Sequence, residues 1–254
     1  MAKVVFDGKK EAERMALFLE ESERVLGKSL MIFQCDGLSS ESSYVRLKRE
    51  MGERLGVMVM VQFPKDKEEL KKLLKEANGD DTIDGILVQL PILGADRGEV
   101  EQILSTINPL KDVDGLNPKS SFIPAAIRAV ERLIEIFKVS EDDRVAVVGA
   151  EGTVGARLIQ RLKDLNIPAE GYDKGDSLEE LKKFDVIISV TGAQGLIRST
   201  MVSQGYMGID LGFPKGDFSS EAVEKASLIT PVPGGVGPMT IVALYENLAD
   251  SVLV

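Results

Sequence analysis

Short apolar runs alternate with longer amphipathic segments along most of the chain. The runs are about four to eight residues long, which is typical of buried strands. In the longer segments apolar residues recur every third or fourth position, which predicts helices that cover a sheet. This alternation indicates an α/β fold with mostly parallel sheets.

The first half of the chain predicts one α/β unit. Its predicted strands are residues 29–34, 57–62 and 83–90, and its predicted helices are residues 9–26, 42–55, 67–77 and 98–107. Residues 109–121 are polar and rich in turn-forming types, which predicts a boundary loop. A connecting helix is predicted over residues 123–137.

The second half predicts another unit of the same kind. Its predicted strands are residues 145–148, 168–172, 185–190 and 208–211, with a helix that runs from the first of them to residue 165. A loop rich in proline and glycine, residues 231–238, then leads to a final predicted helix over residues 239–253. Pro238 suits the first turn of that helix, where no backbone N–H is needed.

Lys48 lies where a lysine is unexpected. At about 100° per residue, Tyr44, Leu47, Met51 and Leu55 share one predicted face of the helix, and Lys48 falls inside that apolar stripe. An ammonium held against an apolar wall loses hydration, so its pKa falls toward the range useful for proton transfer. The alternative is that its stem lies along the stripe while the ammonium reaches water.

Composition narrows the chemistry. The chain has no histidine and one cysteine, Cys35. It therefore has no histidine-based nucleophile pair, no histidine-ligated metal site, no internal disulfide and no thiolate zinc cluster. We expect no metal, and proton transfer must use lysine, a carboxylate, tyrosine or water.

Charge and hydropathy describe a soluble globular protein. The 254 residues are 44% apolar and 28% charged, with a formal net charge of -10. This acidity argues against nucleic acid or an anionic membrane as the main partner. No apolar run approaches the about 18 residues of a spanning helix, and the N-terminal segment becomes charged too early for a signal peptide. We expect a cytoplasmic protein.

A glycine turn predicts a nucleotide site. The segment VAVVGAEGTVGARLIQRL is a strand, a turn and a helix, with Gly149, Gly152 and Gly155 in the turn. Their spacing departs from the usual G-x-G-x-x-G, but glycines here would still let backbone N–H groups approach a pyrophosphate at the helix N-terminus. The alternative is an ordinary turn between a strand and a helix.

Two acidic residues bear on which nucleotide would bind. Asp173 follows the second strand of this unit, near where an acidic residue binds the adenosine ribose hydroxyls. A carboxylate there repels a 2′-phosphate, and Glu151 adds negative charge in the turn, so both favour NAD over NADP. Alternatively, Asp173 only forms a turn before Lys174 and Gly175.

Four motifs occur in order along the chain: YVRLK (44–48), GILVQLPI (85–92), KDVDG (111–115) and TPVPGGVGPMT (230–240). Through them the chain resembles the methylenetetrahydrofolate dehydrogenase/cyclohydrolase enzymes of one-carbon metabolism. The resemblance implies a homodimer of two-domain subunits. A folate-binding catalytic α/β domain (1–121, with the final helix 239–254 packed back on it) would face a Rossmann-type NAD(P)-binding domain (122–238) across a cleft.

The resemblance also implies the reactions and the residues that perform them. The enzyme would oxidise 5,10-methylenetetrahydrofolate to the methenyl form with NAD(P) and hydrolyse that product to 10-formyltetrahydrofolate. Lys48 would be the catalytic lysine and Gln89 would orient it, while Tyr44 would contact the folate ring and Asp114 the pterin edge. From the residues alone, Gln89 is equally a polar cap at a strand end, and Asp114 a turn former.

Other predicted ligands lie in the glycine-rich segments. The loop with Pro233, Gly234 and Gly235 would form a wall between folate and cofactor; otherwise it is a rigid connector. The predicted cofactor-binding residues are Gly149, Ala150, Glu151, Gly152, Thr153, Val154, Gly155, Asp173, Thr191 and Gly192.

The chain also departs from the family. FIPAAIRAV replaces a Pro-Cys-Thr-Pro element, and CDGLSSESS only loosely matches a Gly-Asp-x-Pro-Ala-Ser element. Ala150, Glu151 and Asp173 stand where serine or arginine would bind the NADP phosphate, although Lys174 could still reach it. Three alternatives stay open: a dehydrogenase without cyclohydrolase activity, a non-catalytic nucleotide- or folate-binding module, and an unrelated two-domain dehydrogenase.

Overall fold

The computed structural model of the protein describes residues 4–251. The chain forms two compact units, each built from two separate stretches of sequence. The three-stranded unit comprises Arg14–Ala125 and the chain from Ile241 onward. The six-stranded unit comprises the segment that ends at Glu13 and Ala126–Thr240.

Strands and helices alternate over most of the chain, as the hydrophobic pattern predicts. In chain order they are β1 (Val4–Val5), α1 (Gly8–Ser22), β2 (Ser29–Gln34), α2 (Ser43–Arg54), β3 (Met58–Gln62), α3 (Lys67–Asn78), β4 (Gly85–Gln89), α4 (Arg97–Leu104), α5 (Ala125–Phe137), β5 (Val145–Val148), α6 (Thr153–Asp164), β6 (Ala169–Tyr172), β7 (Val186–Ser189), β8 (Met207–Asp210), α7 (Ser220–Val223), β9 (Leu228–Ile229) and α8 (Val236–Asp250). The pairs that these strands form are parallel.

The smaller sheet has the order β3-β2-β4, and its central strand separates two faces. Met31 and Phe33 point into an apolar cluster that also contains buried residues of α3 and α4. Leu30, Ile32 and Gln34 alternate with them, so they lie on the opposite face. All six residues of β2 are buried, which explains why this strand is apolar except at its ends.

The larger sheet has the order β1-β9-β8-β7-β5-β6. Four of its strands match the sequence prediction, but β1 and β9 were not predicted, because a two-residue strand is too short to show a period. Since β1 pairs with β9, the chain before Glu13 belongs to this unit, whereas the sequence boundary grouped it with residues up to 121.

Two helix ends differ from the prediction. Helix α1 stops at Ser22, because Glu23 takes a left-handed conformation (φ 53°) that a helix cannot continue through. Helix α8 begins at Val236, before the predicted residue 239, with Pro238 in its first turn. The predicted helix end at residues 252–254 lies outside the described residues. Within residues 4–251, no helix has both the length and the apolar character needed to cross a membrane.

Candidate active site

Helix α2 carries Lys48 on its buried face. The helix begins after Ser42, whose side chain accepts a hydrogen bond from the Val45 backbone N–H and caps the first turn. The buried residues of α2 are Val45, Lys48 and Gly52, which follow one another at helical spacing. Lys48 is only 4% exposed, so its ammonium is buried and does not reach out to water along the helix surface.

The predicted apolar stripe on α2 was partly wrong. Leu47 is 47% exposed, although the helical projection placed it on the inward face. The face of α2 that points inward is rotated from the predicted one and includes Gly52. Glycine has no side chain, so a hydrophobicity pattern gives no sign that this position is buried. A Cβ on Gly52 would lie 2.5 Å from the Tyr245 hydroxyl and 2.4 Å from Val59, so this position has room only for glycine.

The Lys48 ammonium is held by neutral groups. Its Nζ donates a hydrogen bond to Gln89 Oε1 at 2.9 Å and lies 4.8 Å from the centre of the Tyr44 ring. Gln89 is oriented in turn, because its Nε2 donates to the Leu90 carbonyl oxygen at 2.9 Å. Burial lowers the pKa of Lys48, and the negative charge of Asp114 partly opposes that fall. A lysine in this setting gives up its proton more readily than an exposed lysine does.

The KDVDG segment brings two carboxyl groups to this unit. Asp114 is the one that acts on Lys48 electrostatically. Asp112 is buried, and its Oδ2 accepts a hydrogen bond from the Asn117 backbone N–H at 2.7 Å. Desolvation, aided by the nearby charge of Asp114, raises the pKa of Asp112 to about 6. Gly115 (φ 69°) turns the chain where a Cβ would lie 2.8 Å from the Pro124 nitrogen.

All four predicted catalytic residues therefore lie in the three-stranded unit. Lys48 contacts Gln89 and Tyr44 directly and feels the charge of Asp114. The predicted loop residues Pro233, Gly234 and Gly235 belong to the six-stranded unit.

The loop before α8 is packed closely against the start of α1. A Cβ on Gly8 would lie 1.9 Å from the Gly235 carbonyl oxygen, and a Cβ on Gly235 would lie 2.5 Å from the Pro231 carbonyl oxygen. Gly234 has φ 100°, which favours glycine. Backbone contacts thus determine the path of this loop.

The glycine turn in the six-stranded unit has the shape of a phosphate cradle. Gly149 has φ 88°, and a Cβ on Gly155 would lie only 2.0 Å from the Gly149 carbonyl oxygen. Gly152 is the N-cap of α6 and provides no side-chain hydrogen bond to the first turn. The backbone N–H groups at this helix N-terminus thus lack a side-chain cap, which fits them to bind a pyrophosphate.

Asp173 lies against the same turn. Its Oδ2 accepts a hydrogen bond from the Glu151 backbone N–H at 2.7 Å, and its Oδ1 accepts one from the Lys174 backbone N–H at 2.8 Å. The carboxylate therefore does form a turn, as the alternative held. It also places negative charge beside the glycine turn, as the nucleotide hypothesis requires.

Thr191 and Gly192 follow β7, and Thr191 lies beside Gly149 of the glycine turn. The Thr191 methyl group would lie 3.1 Å from a Cβ on Gly149. The buried carboxylate of Asp217 holds this segment: its Oδ2 accepts hydrogen bonds from Thr191 N at 2.9 Å, Thr191 Oγ1 at 2.8 Å and Ser189 Oγ at 2.7 Å. Among residues 4–251, no group of three or more acidic or cysteine side chains could hold a metal ion.

Comparisons with known proteins decide the family. Residues 6–114 match the tetrahydrofolate dehydrogenase/cyclohydrolase catalytic domain, and residues 124–253 match the NAD(P)-binding domain of the same family. The chain belongs to the tetrahydrofolate dehydrogenase/cyclohydrolase family. This confirms the resemblance inferred from the four motifs, the two-domain α/β fold and the expectation of an enzyme that uses a nicotinamide nucleotide.

Individual relatives match this family member over nearly its whole length. The bifunctional protein FolD of Limosilactobacillus reuteri is 34% identical over 278 aligned residues, covering 97% of this chain and 96% of the relative. The bifunctional FolD structure from Campylobacter jejuni has a TM-score of 0.85 and 29% identity, covering 98% of both chains. The Trypanosoma brucei enzyme, complexed with NADP cofactor and inhibitor, has a TM-score of 0.86 and 26% identity, covering 98% of this chain and 97% of that chain.

Sequence reasoning missed several residues that build these sites in this family member. Asp217 and Tyr245 gave no signal, because each is distant in sequence from the segment it holds. Asp112 had a usable signal, since it lies two positions before Asp114 in the KDVDG motif. Gln34 could have been noted as the polar residue that ends the buried run of β2.

Proposed function

We propose that this dehydrogenase/cyclohydrolase oxidises 5,10-methylenetetrahydrofolate and then hydrolyses the methenyl product, with Lys48 as the proton carrier of the second step. The observation that carries the proposal is the buried Lys48 ammonium, hydrogen-bonded at 2.9 Å to Gln89 Oε1. Burial destabilises the charged form of the lysine, and a neutral amide offsets this less than a carboxylate in that place would, so the ammonium releases its proton more readily than an exposed lysine does.

The oxidation needs alignment more than acid–base help. Bound NAD(P) would supply the acceptor for the hydride that leaves the bridging carbon of the substrate. The residues that would hold it are the glycine turn, the N-terminus of α6 and the Thr191–Gly192 segment. The contribution of the protein to this step is to hold two reactants in register, which is worth several kcal/mol without any strong base.

The hydrolysis needs proton transfers, and Lys48 supports them. Water adds to the methenyl carbon, and neutral Lys48 accepts the proton that the water loses. The carbon–nitrogen bond of the five-membered ring then breaks as the Lys48 ammonium returns a proton to the departing nitrogen, and the remaining hydroxyl proton is released to water as the formyl C=O forms. One group thus acts first as base and then as acid, and Gln89 keeps it aimed throughout.

Tyr44, Asp114 and the loop would position the folate. The Tyr44 ring presents an aromatic surface beside the Lys48 ammonium, suited to the flat folate ring. Asp114 is an acceptor for donors on the pterin edge. We assign substrate contacts to Pro233, Gly234 and Gly235 as well, because the TPVPGGVGPMT motif of the family contains them.

The cofactor preference that we propose is for NAD. Asp173 lies against the glycine turn and Glu151 lies within it, so two carboxylates would face a 2′-phosphate. Coulomb repulsion from either charge weakens NADP relative to NAD. No serine or arginine stands at those positions to offset it.

The expected homodimer has a candidate surface in the three-stranded unit. Within the described residues, β3 pairs only with β2, so it is an edge strand. Its first residue, Met58, is 66% exposed. An exposed apolar edge is a surface that a second copy could cover. Sedimentation of the enzyme and of Met58→Lys would test this surface, because the variant should dimerise less.

The cytoplasmic location stays a prediction from composition.

The test of the proposed function is Lys48→Met, assayed for both activities. We expect the hydrolysis of methenyltetrahydrofolate to fall by about 10²–10⁴-fold, because the general acid–base group is gone. Oxidation of methylenetetrahydrofolate should fall much less. Lys72→Met is the matched control, since that lysine lies on α3 and its side chain is 76% exposed. Equal retention of both activities in Lys48→Met would refute the role of Lys48.

A further inference from the structure

Strand β2 ends in a buried polar residue that the proposed mechanism does not use. On the face opposite the α3 and α4 cluster, Leu30 and Ile32 are followed by Gln34, which is fully buried. Gln34 pairs in register with Gln89 on the neighbouring strand β4. Registered partners in a parallel sheet direct their side chains to the same face, so the two glutamines lie side by side at its carboxyl edge.

Both ends of the Gln34 amide are bound by the segment of chain that leads into α2. Its Nε2 donates to both carboxylate oxygens of Asp36 at 3.1 Å and to the Ser40 carbonyl oxygen at 3.1 Å. Its Oε1 accepts a hydrogen bond from the Ser42 backbone N–H at 2.9 Å. One side chain thus ties residues 36–42 to the end of the central strand.

This connection matters because Ser42 is the N-cap of α2. The first turns of that helix carry Tyr44 and Lys48. Gln89 holds the Lys48 ammonium, and the Tyr245 hydroxyl donates to the Lys48 carbonyl oxygen at 2.5 Å. Gln34 supplies the third restraint, at the point where the chain enters the helix.

We propose that Gln34 is a positioning residue for Lys48: by tying residues 36–42 to the sheet, it sets the entry of α2 and therefore the place of the lysine that carries the proton. The inference rests on the proposed function. It gives a role to a segment in which this chain departs from the family, since residues 36–42 contain no proline. A proline would restrict that backbone covalently, whereas here the hydrogen bonds of a buried amide do so.

The test is Gln34→Met, which keeps the length of the side chain and removes its hydrogen bonds. We expect kcat for methenyltetrahydrofolate hydrolysis to fall about tenfold and kcat for methylenetetrahydrofolate oxidation to fall less than about threefold, because hydrolysis depends on the exact aim of Lys48. A merely structural role would lower both activities in proportion to the folded fraction, measured by circular dichroism. Equal losses would overturn the proposal.

A pair of charge variants tests the contact itself. Gln34→Glu alone places a carboxyl group against the Asp36 carboxylate, and we expect the same selective loss of hydrolysis. Adding Asp36→Asn restores the donor–acceptor pair between positions 34 and 36 with the roles reversed, because the new amide can donate to the new carboxylate, while the bond to the Ser40 carbonyl oxygen stays lost; we therefore expect partial recovery. Recovery of hydrolysis in the double variant supports the proposal, and absence of any recovery contradicts it.

Two further variants keep the outcome interpretable. Asn78→Leu removes an amide that likewise bridges two chain segments, to the Thr106 carbonyl oxygen and the Asn108 backbone N–H, and it should leave the ratio of activities unchanged. If Gln34→Met does not fold, Asp36→Asn alone weakens the same contact on a partly exposed loop and should lower hydrolysis about threefold. If Lys48→Met loses more hydrolysis than oxidation but the Gln34 variants lose both equally, this inference alone is refuted. If Lys48→Met also loses both equally, the proposed function is refuted.

Discussion

The lysine site and the proposed nucleotide turn, which is the glycine turn of residues 149–155, are built in opposite ways. The lysine site consists of side chains from α2, β4 and the KDVDG segment, which are far apart in sequence and meet at Lys48. The nucleotide turn is mostly backbone from one short segment, and its glycines matter because they have no side chain. The first site depends on tertiary packing, whereas the second depends on local conformation.

This difference determines how each site fails. In a site made of side chains, one substitution changes a charge or the orientation of a reacting group. Its effect on activity is graded and depends on pH. In a site made of backbone, one added Cβ displaces the chain and weakens binding sharply at any pH. We propose that the chemistry that needs a tunable proton lies in the first kind of site, and that the second kind binds the nucleotide phosphate.

The largest expected effect breaks the backbone site alone. Gly155→Ala places a Cβ where the Gly149 carbonyl oxygen is 2.0 Å away, so the turn must move. We expect NADH affinity, measured by fluorescence titration, to fall more than about a hundredfold, because the bound phosphate depends on the exact path of that backbone. Hydrolysis of methenyltetrahydrofolate, assayed without nucleotide, should persist.

The control for that substitution is Gly79→Ala in the three-stranded unit, where the nearest atom would be 3.8 Å from the added Cβ. It should leave NADH affinity unchanged. Normal NADH binding by Gly155→Ala would show that the turn is not the nucleotide site.

The second prediction concerns Asp112, a buried carboxyl group near the lysine site. Desolvation raises the pKa of Asp112 from 3.8 to about 6, so between about pH 4 and pH 6 the folded protein keeps a proton that the unfolded chain has lost. The free energy of unfolding should therefore decrease as pH rises through that window, by up to about 3 kcal/mol, and level off above it.

Asp112→Asn removes this titration, because the amide stays neutral while its oxygen can still accept from the Asn117 backbone N–H. Urea unfolding of both proteins at about pH 4.5 and about pH 7.5, on either side of most of that titration, measures the effect. We expect the variant to gain stability relative to the parent as pH rises. Parallel pH profiles for the two proteins would contradict the assignment.

The smallest expected effect tests whether a side chain adds specificity to the backbone site. Asp173→Ser removes a charge beside the turn but leaves a hydroxyl that can accept from the Glu151 backbone N–H. We expect the ratio of kcat/KM with NADP to kcat/KM with NAD to rise about tenfold, as one unit of repulsion near a surface allows. Asp143→Asn, a change in the loop before β5, should not alter that ratio. An unchanged ratio in Asp173→Ser would reject the role of Asp173 in the NAD preference.

Particular elements show where sequence reasoning reached its limit. Residues 29–34 were predicted as a strand with the same bounds as β2, because a continuous apolar run between polar turns carries its own signal. The inward face of α2 was predicted wrongly at Leu47, because Gly52 contributes nothing to a hydrophobic pattern. The two-residue strands β1 and β9 pair across more than two hundred positions, which no local window detects.

By itself, the sequence determined the alternation of strands and helices, the glycine turn, the absence of histidine and the four family motifs, since each is written in adjacent residues. Only the tertiary structure decided that the Lys48 ammonium is buried against Gln89, that Tyr245 occupies the space above Gly52 and that Gln34 ties down the entry to α2. Those contacts join residues far apart in the chain, and the burial that lowers the pKa of the lysine arises only when the sheet and its helices close around it.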